Sequence, residues 1–165
     1  MDRTKTRNAM LGIATAIALS APAFGHGDDE HARPKKAVQA EQMAFGMAGD
    51  PQHVSRTIDM DMLDTFRYSP GRLEVKRGET IRFEMHNEGK IMHEIVIGTM
   101  AQLKEHAALM KKFPEMEHDA PYMLHIAPGK SGEIVWRFNR PGTFNFACLI
   151  AGHFESGMVG KVVVR

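Results

Sequence analysis

From residue 54 onward, apolar and polar side chains alternate in short runs separated by turn-forming residues. Thr57-Ile58-Asp59-Met60-Asp61-Met62-Leu63 is the first run, and Ser69-Pro70-Gly71 follows it as a turn. Leu73 and Val75, then Ile81, Phe83 and Met85, alternate with charged neighbours. A period of two places one face of an antiparallel strand in a core and the other in water. Ile95 and Ile97 resume the pattern after the turn Asn87-Glu88-Gly89-Lys90. Further strands are predicted at Ile134–Phe138, Thr143–Cys148 and Met158–Val164, punctuated by Pro128-Gly129 and Pro141-Gly142.

One helix interrupts the strands. Thr99-Met100-Ala101-Gln102 reads as a capping box, in which the two polar side chains satisfy orphan N–H groups at a helix start. Leu103, Ala107, Met110 and Phe113 then recur at helical spacing, and Pro114 ends the run. Seven or eight short strands with one inserted helix predict an all-β Greek-key β-sandwich over residues 53–165. No internal repeat is visible.

The first 25 residues follow a different pattern. Arg3, Lys5 and Arg7 precede an apolar stretch from Ala9 to Ala23, and small residues follow at Ala21-Pro22-Ala23-Phe24-Gly25. This is the layout of a secretory signal peptide. The apolar run, about 15 residues, is short against the roughly 20 that a membrane span needs. Cleavage after Gly25 would make His26 the first residue; a cut after Ala23 is the alternative. Residues 26–52 lack sustained periodicity and read as a flexible arm bearing His and Met.

Composition changes the picture at three points: the chain has one Cys, 9 His and 13 Met. A single Cys excludes an internal disulfide, a Cys-x-x-Cys redox pair and a Cys-rich zinc site. The formal net charge of +1 gives no basis for a nucleic-acid partner. Loss of residues 1–25 would turn the 21 basic and 20 acidic residues into 18 and 19, so the mature chain carries −1. Export places the chain in the periplasm, with no membrane span left after cleavage. An unprotected thiol is a liability in that oxidising compartment, so the Cys148 sulfur needs an occupant.

Cys148, His153 and Met158 lie in one compact stretch between two predicted strands. A loop that joins neighbouring strands brings its ends together, so these side chains can converge. A second imidazole, His93, starts another strand. Two imidazoles, a thiolate and a thioether match the trigonal His₂Cys set with a weak axial Met that holds copper for electron transfer. Zinc accepts Cys and two His but gains little from Met. The competing reading is a buried core Cys beside unrelated His and Met; residue type and spacing together favour copper.

These residues resemble the cupredoxins. The marks are Asn87-x₅-His93, Cys148-x₄-His153-x₄-Met158 and the closing Val159-Gly160-Lys161-Val162-Val163-Val164. Within that family the chain is similar to the periplasmic copper-tolerance (CopI-type) members. The added marks are Met92-His93-Glu94, the Leu103-Lys-Glu-His-Ala helix and Phe113-Pro-Glu-Met116-Glu-His118-Asp119. The resemblance implies one type 1 copper site on His93, Cys148, His153 and Met158. Many plastocyanin-like members have Asn directly after the first His ligand, bracing the Cys loop. Here that position is Glu94, a departure that bears on the hydrogen bonds around the sulfur.

Soft donors remain in surplus. Met110, Met116, His118 and Met123, with His125, cluster around the helix end and the loop after it, and form a candidate second copper site. Core filling is the competing reading for Met110 and Met123. Met43 and Met47 lie four apart in the arm; Met60 and Met62 share a strand face and read as core. His26, if freed as the N-terminus, could chelate copper with its amine and imidazole, with His31 nearby. His86 and His106 read as solvent-facing.

Three functions compete. A periplasmic copper protein serving copper tolerance, by binding copper and transferring electrons, accounts for the surplus Met and His. A respiratory electron shuttle between membrane redox complexes accounts for the type 1 set alone. An oxidase is disfavoured, because the chain has no His-x-His pair and one copper-type loop, too little for a trinuclear cluster within one subunit. The partners expected are copper ions and a protein redox partner of unknown identity.

Overall fold

Among the described residues, the alternation is realised as ten strands and one helix. They are β1 (Met47–Ala48), β2 (Arg56–Leu63), β3 (Arg67–Ser69), β4 (Arg72–Val75), β5 (Thr80–Asn87), β6 (His93–Gly98), α1 (Met100–Lys112), β7 (Met123–Ile126), β8 (Ser131–Arg137), β9 (Gly142–Ala147) and β10 (Val159–Val164). The computed structural model describes residues 40–114, 116 and 119–165. The segment read as a signal peptide, together with His26, His31 and His118, lies outside the described residues.

Two five-stranded sheets face each other, in the orders β1-β8-β5-β2-β3 and β4-β10-β9-β6-β7. Most neighbours are antiparallel, as the alternation predicts, but β2 pairs β5 and β4 pairs β10 in parallel. The cause lies at Ser69-Pro70-Gly71. The chain leaves the first sheet there and enters the second, so the next strand cannot fold back on its predecessor as a hairpin.

Inward residues of both sheets meet in one core. Met60 and Met62 of β2, Ile81, Phe83 and Met85 of β5, and Ile95 and Ile97 of β6 are all buried there. Trp136 anchors it, and its indole N–H donates to the Phe45 carbonyl at 3.0 Å. Burial of each such side chain is worth about 1.5–3 kcal/mol. A second cluster lies on the outer face of the second sheet, where Leu103, Ala107 and Met110 of α1 cover Val96, Ala147 and Met123. β6 is therefore buried on both faces along its whole length.

α1 starts as its sequence dictates. Thr99 is the N-cap, its hydroxyl accepts from the Gln102 amide, and the Gln102 side chain accepts from the Thr99 amide. Phe113, grouped by spacing with the buried face, instead caps the C-terminus and is exposed. Strand β7 gives no alternating signal in the sequence: it is a run of only four residues set between Pro121 and Pro128, and it is buried at its two ends.

The arm also needs correction over residues 40–52. Met43 and Gly46 form a β-bridge, Met47–Ala48 pairs with β8, and Phe45 is buried in a stack on Trp136. One aromatic residue among Met, Ala and Gly gives no periodic signal, yet its stacking, together with the β1–β8 pairing, pins the segment to the sandwich.

Candidate metal centre

His93, Cys148 and His153 come together at one end of the sandwich, with one ligand atom from each lying within 4.8 Å of the others. β6 delivers His93 with its first residue, and Cys148 directly follows β9. His93 and Cys148 are fully buried, whereas His153 keeps 9 % of its surface exposed and is the one edge of the trio in contact with water. Met158 is buried beside them and begins the return into β10. Its carbonyl accepts from the Cys148 amide at 3.1 Å, and its own amide donates to the His153 carbonyl at 3.0 Å. The loop is thereby closed on itself.

The donors are held by bonds from outside the loop. The Cys148 sulfur accepts from the Glu94 amide at 3.3 Å and lies 3.2 Å from His153 Nδ1. Burial pushes the Cys148 thiol up to about 12, against the opposing pull of the Glu94 and Ile150 amides. At neutral pH the metal-free sulfur is therefore a thiol, and a bound cation would convert it to thiolate. Burial also lowers the His153 pKa, with His93 adding to the shift. Both causes favour the uncharged, ligand-ready imidazole of His153.

His93 is the most informative member. Its Nε2 lies 3.1 Å from Asp64 Oδ1, while its buried Nδ1 has no hydrogen-bond partner among the described residues. A buried imidazole nitrogen without a partner is costly unless a ligand completes it. Imidazole, thiol and thioether donors fit copper, and thioether in particular separates copper from zinc.

Glu94 answers the departure noted in the sequence. Its side chain is buried and its Oε2 accepts from the Leu149 amide at 3.1 Å, so a carboxylate braces the residue after Cys148. Its Oε1 lies 3.3 Å from His125 Nε2, across the β6–β7 ladder. The Tyr68 hydroxyl donates to the Glu94 carbonyl at 2.6 Å. Asn87 fixes the approach to His93: its side-chain amide donates to the Ile91 and Ile126 carbonyls, each at 2.8 Å.

Sequence reasoning missed the turn between β2 and β3. Asp64 holds His93, the Phe66 ring packs on His153 with centroids 4.8 Å apart, and Arg67 donates to the Ser156 carbonyl at 2.9 Å. The Lys90 amide, foremost, and His93 hold the Asp64 carboxyl below its ordinary pKa. Nothing in the spacing links residues 64–67 to the ligand loop. The sheet topology makes the link.

The surplus donors are arranged differently. Met110 and Met123 are buried in the second core cluster. Together with the exposed Met92 and Met116, and His125, they line one cleft bordered by Ile150 and Ala151 of the ligand loop. His118 lies outside the described residues.

A two-sheet sandwich with buried Cys and His donors at one end is the architecture of the copper-binding β-sandwich proteins. Residues 53–165 match the family described as copper binding proteins, plastocyanin/azurin family, and the chain belongs to it. It is 46% identical over 159 residues to a protein of Rubrivivax gelatinosus named copper-resistant cuproprotein CopI, with 96% of each chain covered. A protein of the same name from Pseudomonas aeruginosa is 32% identical, over 79% of this chain and 87% of the relative. Among solved structures, auracyanin B superposes with a TM-score of 0.60 at 18% identity, covering 76% of this chain and 98% of that one. Reduced auracyanin from Roseiflexus castenholzii gives 0.58 at 23%, covering 68% and 98%. These two likenesses bear on the fold, which is that of the cupredoxins.

Proposed function

We propose that the chain is a periplasmic copper protein of copper tolerance, holding one type 1 copper on His93, Cys148, His153 and Met158 and passing single electrons through it. The observation that carries this reading is the buried trio of His93, Cys148 and His153, their ligand atoms within 4.8 Å and the sulfur free of any disulfide. Constrained donors change little between oxidation states, and small reorganisation favours fast electron transfer. Residues 1–25 serve as the export signal in this reading. Among the described residues no helix is long and apolar enough to cross a membrane. The chain acts as a carrier of copper and electrons, not as an enzyme.

Copper titration of the exported protein tests the centre. Cys148→Ser is expected to abolish the intense thiolate-to-copper absorption while leaving the fold intact; retention of that band would refute the ligand set. Deletion of the gene, with growth scored on copper, separates tolerance from respiration. Normal copper tolerance with loss of a respiratory activity would replace this reading by the shuttle.

The cleft lined by Met92, Met110, Met116, Met123 and His125 supports a second copper site. Copper bound per chain at saturation decides it: two ions are expected, and one refutes it.

A further inference from the structure

The β2–β3 turn supplies the centre with a charge that the ligand set does not contain. An ionised carboxylate can only accept hydrogen bonds, so the 3.1 Å contact between His93 Nε2 and Asp64 Oδ1 places the imidazole proton on Nε2. The lone pair is then on Nδ1, the buried nitrogen with no hydrogen-bond partner among the described residues. The other Asp64 oxygen, Oδ2, accepts from the Lys90 amide at 2.8 Å, so the carboxylate is gripped at both ends. The backbone leaves room for it: a Cβ on Gly89 would stand 1.9 Å from Asp64 Oδ1. Gly89 has no left-handed φ that would demand glycine. Its missing side chain is explained by the carboxylate beside it.

We propose that Asp64 is a positioning residue of the copper centre, which fixes the His93 tautomer and, as an anion behind the imidazole, favours cupric over cuprous copper. The inference rests on the copper reading above. His93 stands between the carboxylate and the metal position, so Asp64 acts through it as the outer member of a carboxylate–histidine–metal relay. The cupric ion carries one more positive charge than the cuprous ion. A fixed negative charge nearby stabilises the former more and lowers the potential at which one electron is accepted.

Two measurements on the full chain test this. In the metal-free protein, nitrogen-15 correlation spectra of His93 are expected to show Nε2–H in the parent and in Asp64→Asn, and a tautomer mixture in Asp64→Ala. In the copper-loaded protein, a mediator-coupled redox titration reads the ratio of cupric to cuprous affinity. We expect about a tenfold fall in that ratio for Asp64→Asn and Asp64→Ala, a rise of about 59 mV for a one-electron couple. Gly89→Ala keeps every charge but displaces the carboxylate, and it should follow Asp64→Ala in both readouts. Unchanged potentials in all three variants, or a parent His93 protonated on Nδ1, would overturn the proposal. A parent that binds no copper would instead overturn the function on which it rests, and the tautomer of the metal-free protein would still report on Asp64.

Discussion

Soft donors gather in two neighbouring places, and the two are built on opposite principles. At the sandwich end, His93, Cys148 and Met158 are fully buried, and backbone amides, Asp64 and Glu94 hold the group in place. In the cleft alongside, Met110 and Met123 are tied into a hydrophobic core, whereas Met92 and Met116 remain 43% and 45% exposed. The first group is fixed before any ligand arrives. The second is a lining of flexible thioethers, half of them already engaged in packing. Preorganisation, not the mere density of Met and His, separates the rigid site from the adaptable cleft.

The contrast can be broken most forcefully at Met110. If it is mainly a core residue, Met110→Ala should destabilise the metal-free protein by about 2–5 kcal/mol in urea denaturation. A change below about 0.5 kcal/mol would mean that the cleft is as soft inside as at its rim. Glu94 tests the rigid region. Glu94→Ala leaves the Leu149 amide without its acceptor and should cost about 1–3 kcal/mol. Glu94→Gln keeps an acceptor and should restore most of that, with the copper absorption band closer to the parent. The smallest effect is expected at the rim. Met92→Ala should change stability by less than about 0.5 kcal/mol. The same variant should lower copper bound at saturation from two ions toward one.

What could be read from the sequence was local. Cys148-x₄-His153-x₄-Met158 is informative because both ends of the loop run into neighbouring strands, β9 and β10, so closure brings its members together. The Thr99 capping box is likewise legible, since its partners are three residues apart. Asp64 was not legible. It lies 29 residues before His93, in a turn whose position depends on the parallel pairing of β2 with β5. Phe45 was hidden for a similar reason, its stacking partner Trp136 being 91 residues away. Met110 and Met123 show the converse limit. A thioether that fills a core and one that could hold a metal look identical in sequence, and only burial separates them.

The parallel pairing of β4 with β10 also ties the ligand loop to a distant part of the chain. Arg72–Val75 finds its sheet partner in Lys161–Val164 of β10. The second sheet is thus closed along that edge by a pairing between segments far apart in sequence. Contacts so distant in sequence make folding slow, in the millisecond-to-second range typical of β-sandwiches. The Cys148–Met158 loop feeds directly into β10. Burial of the thiol therefore depends on contacts made far along the chain from β4, and a change that loosens the β4–β10 edge should expose Cys148 as well.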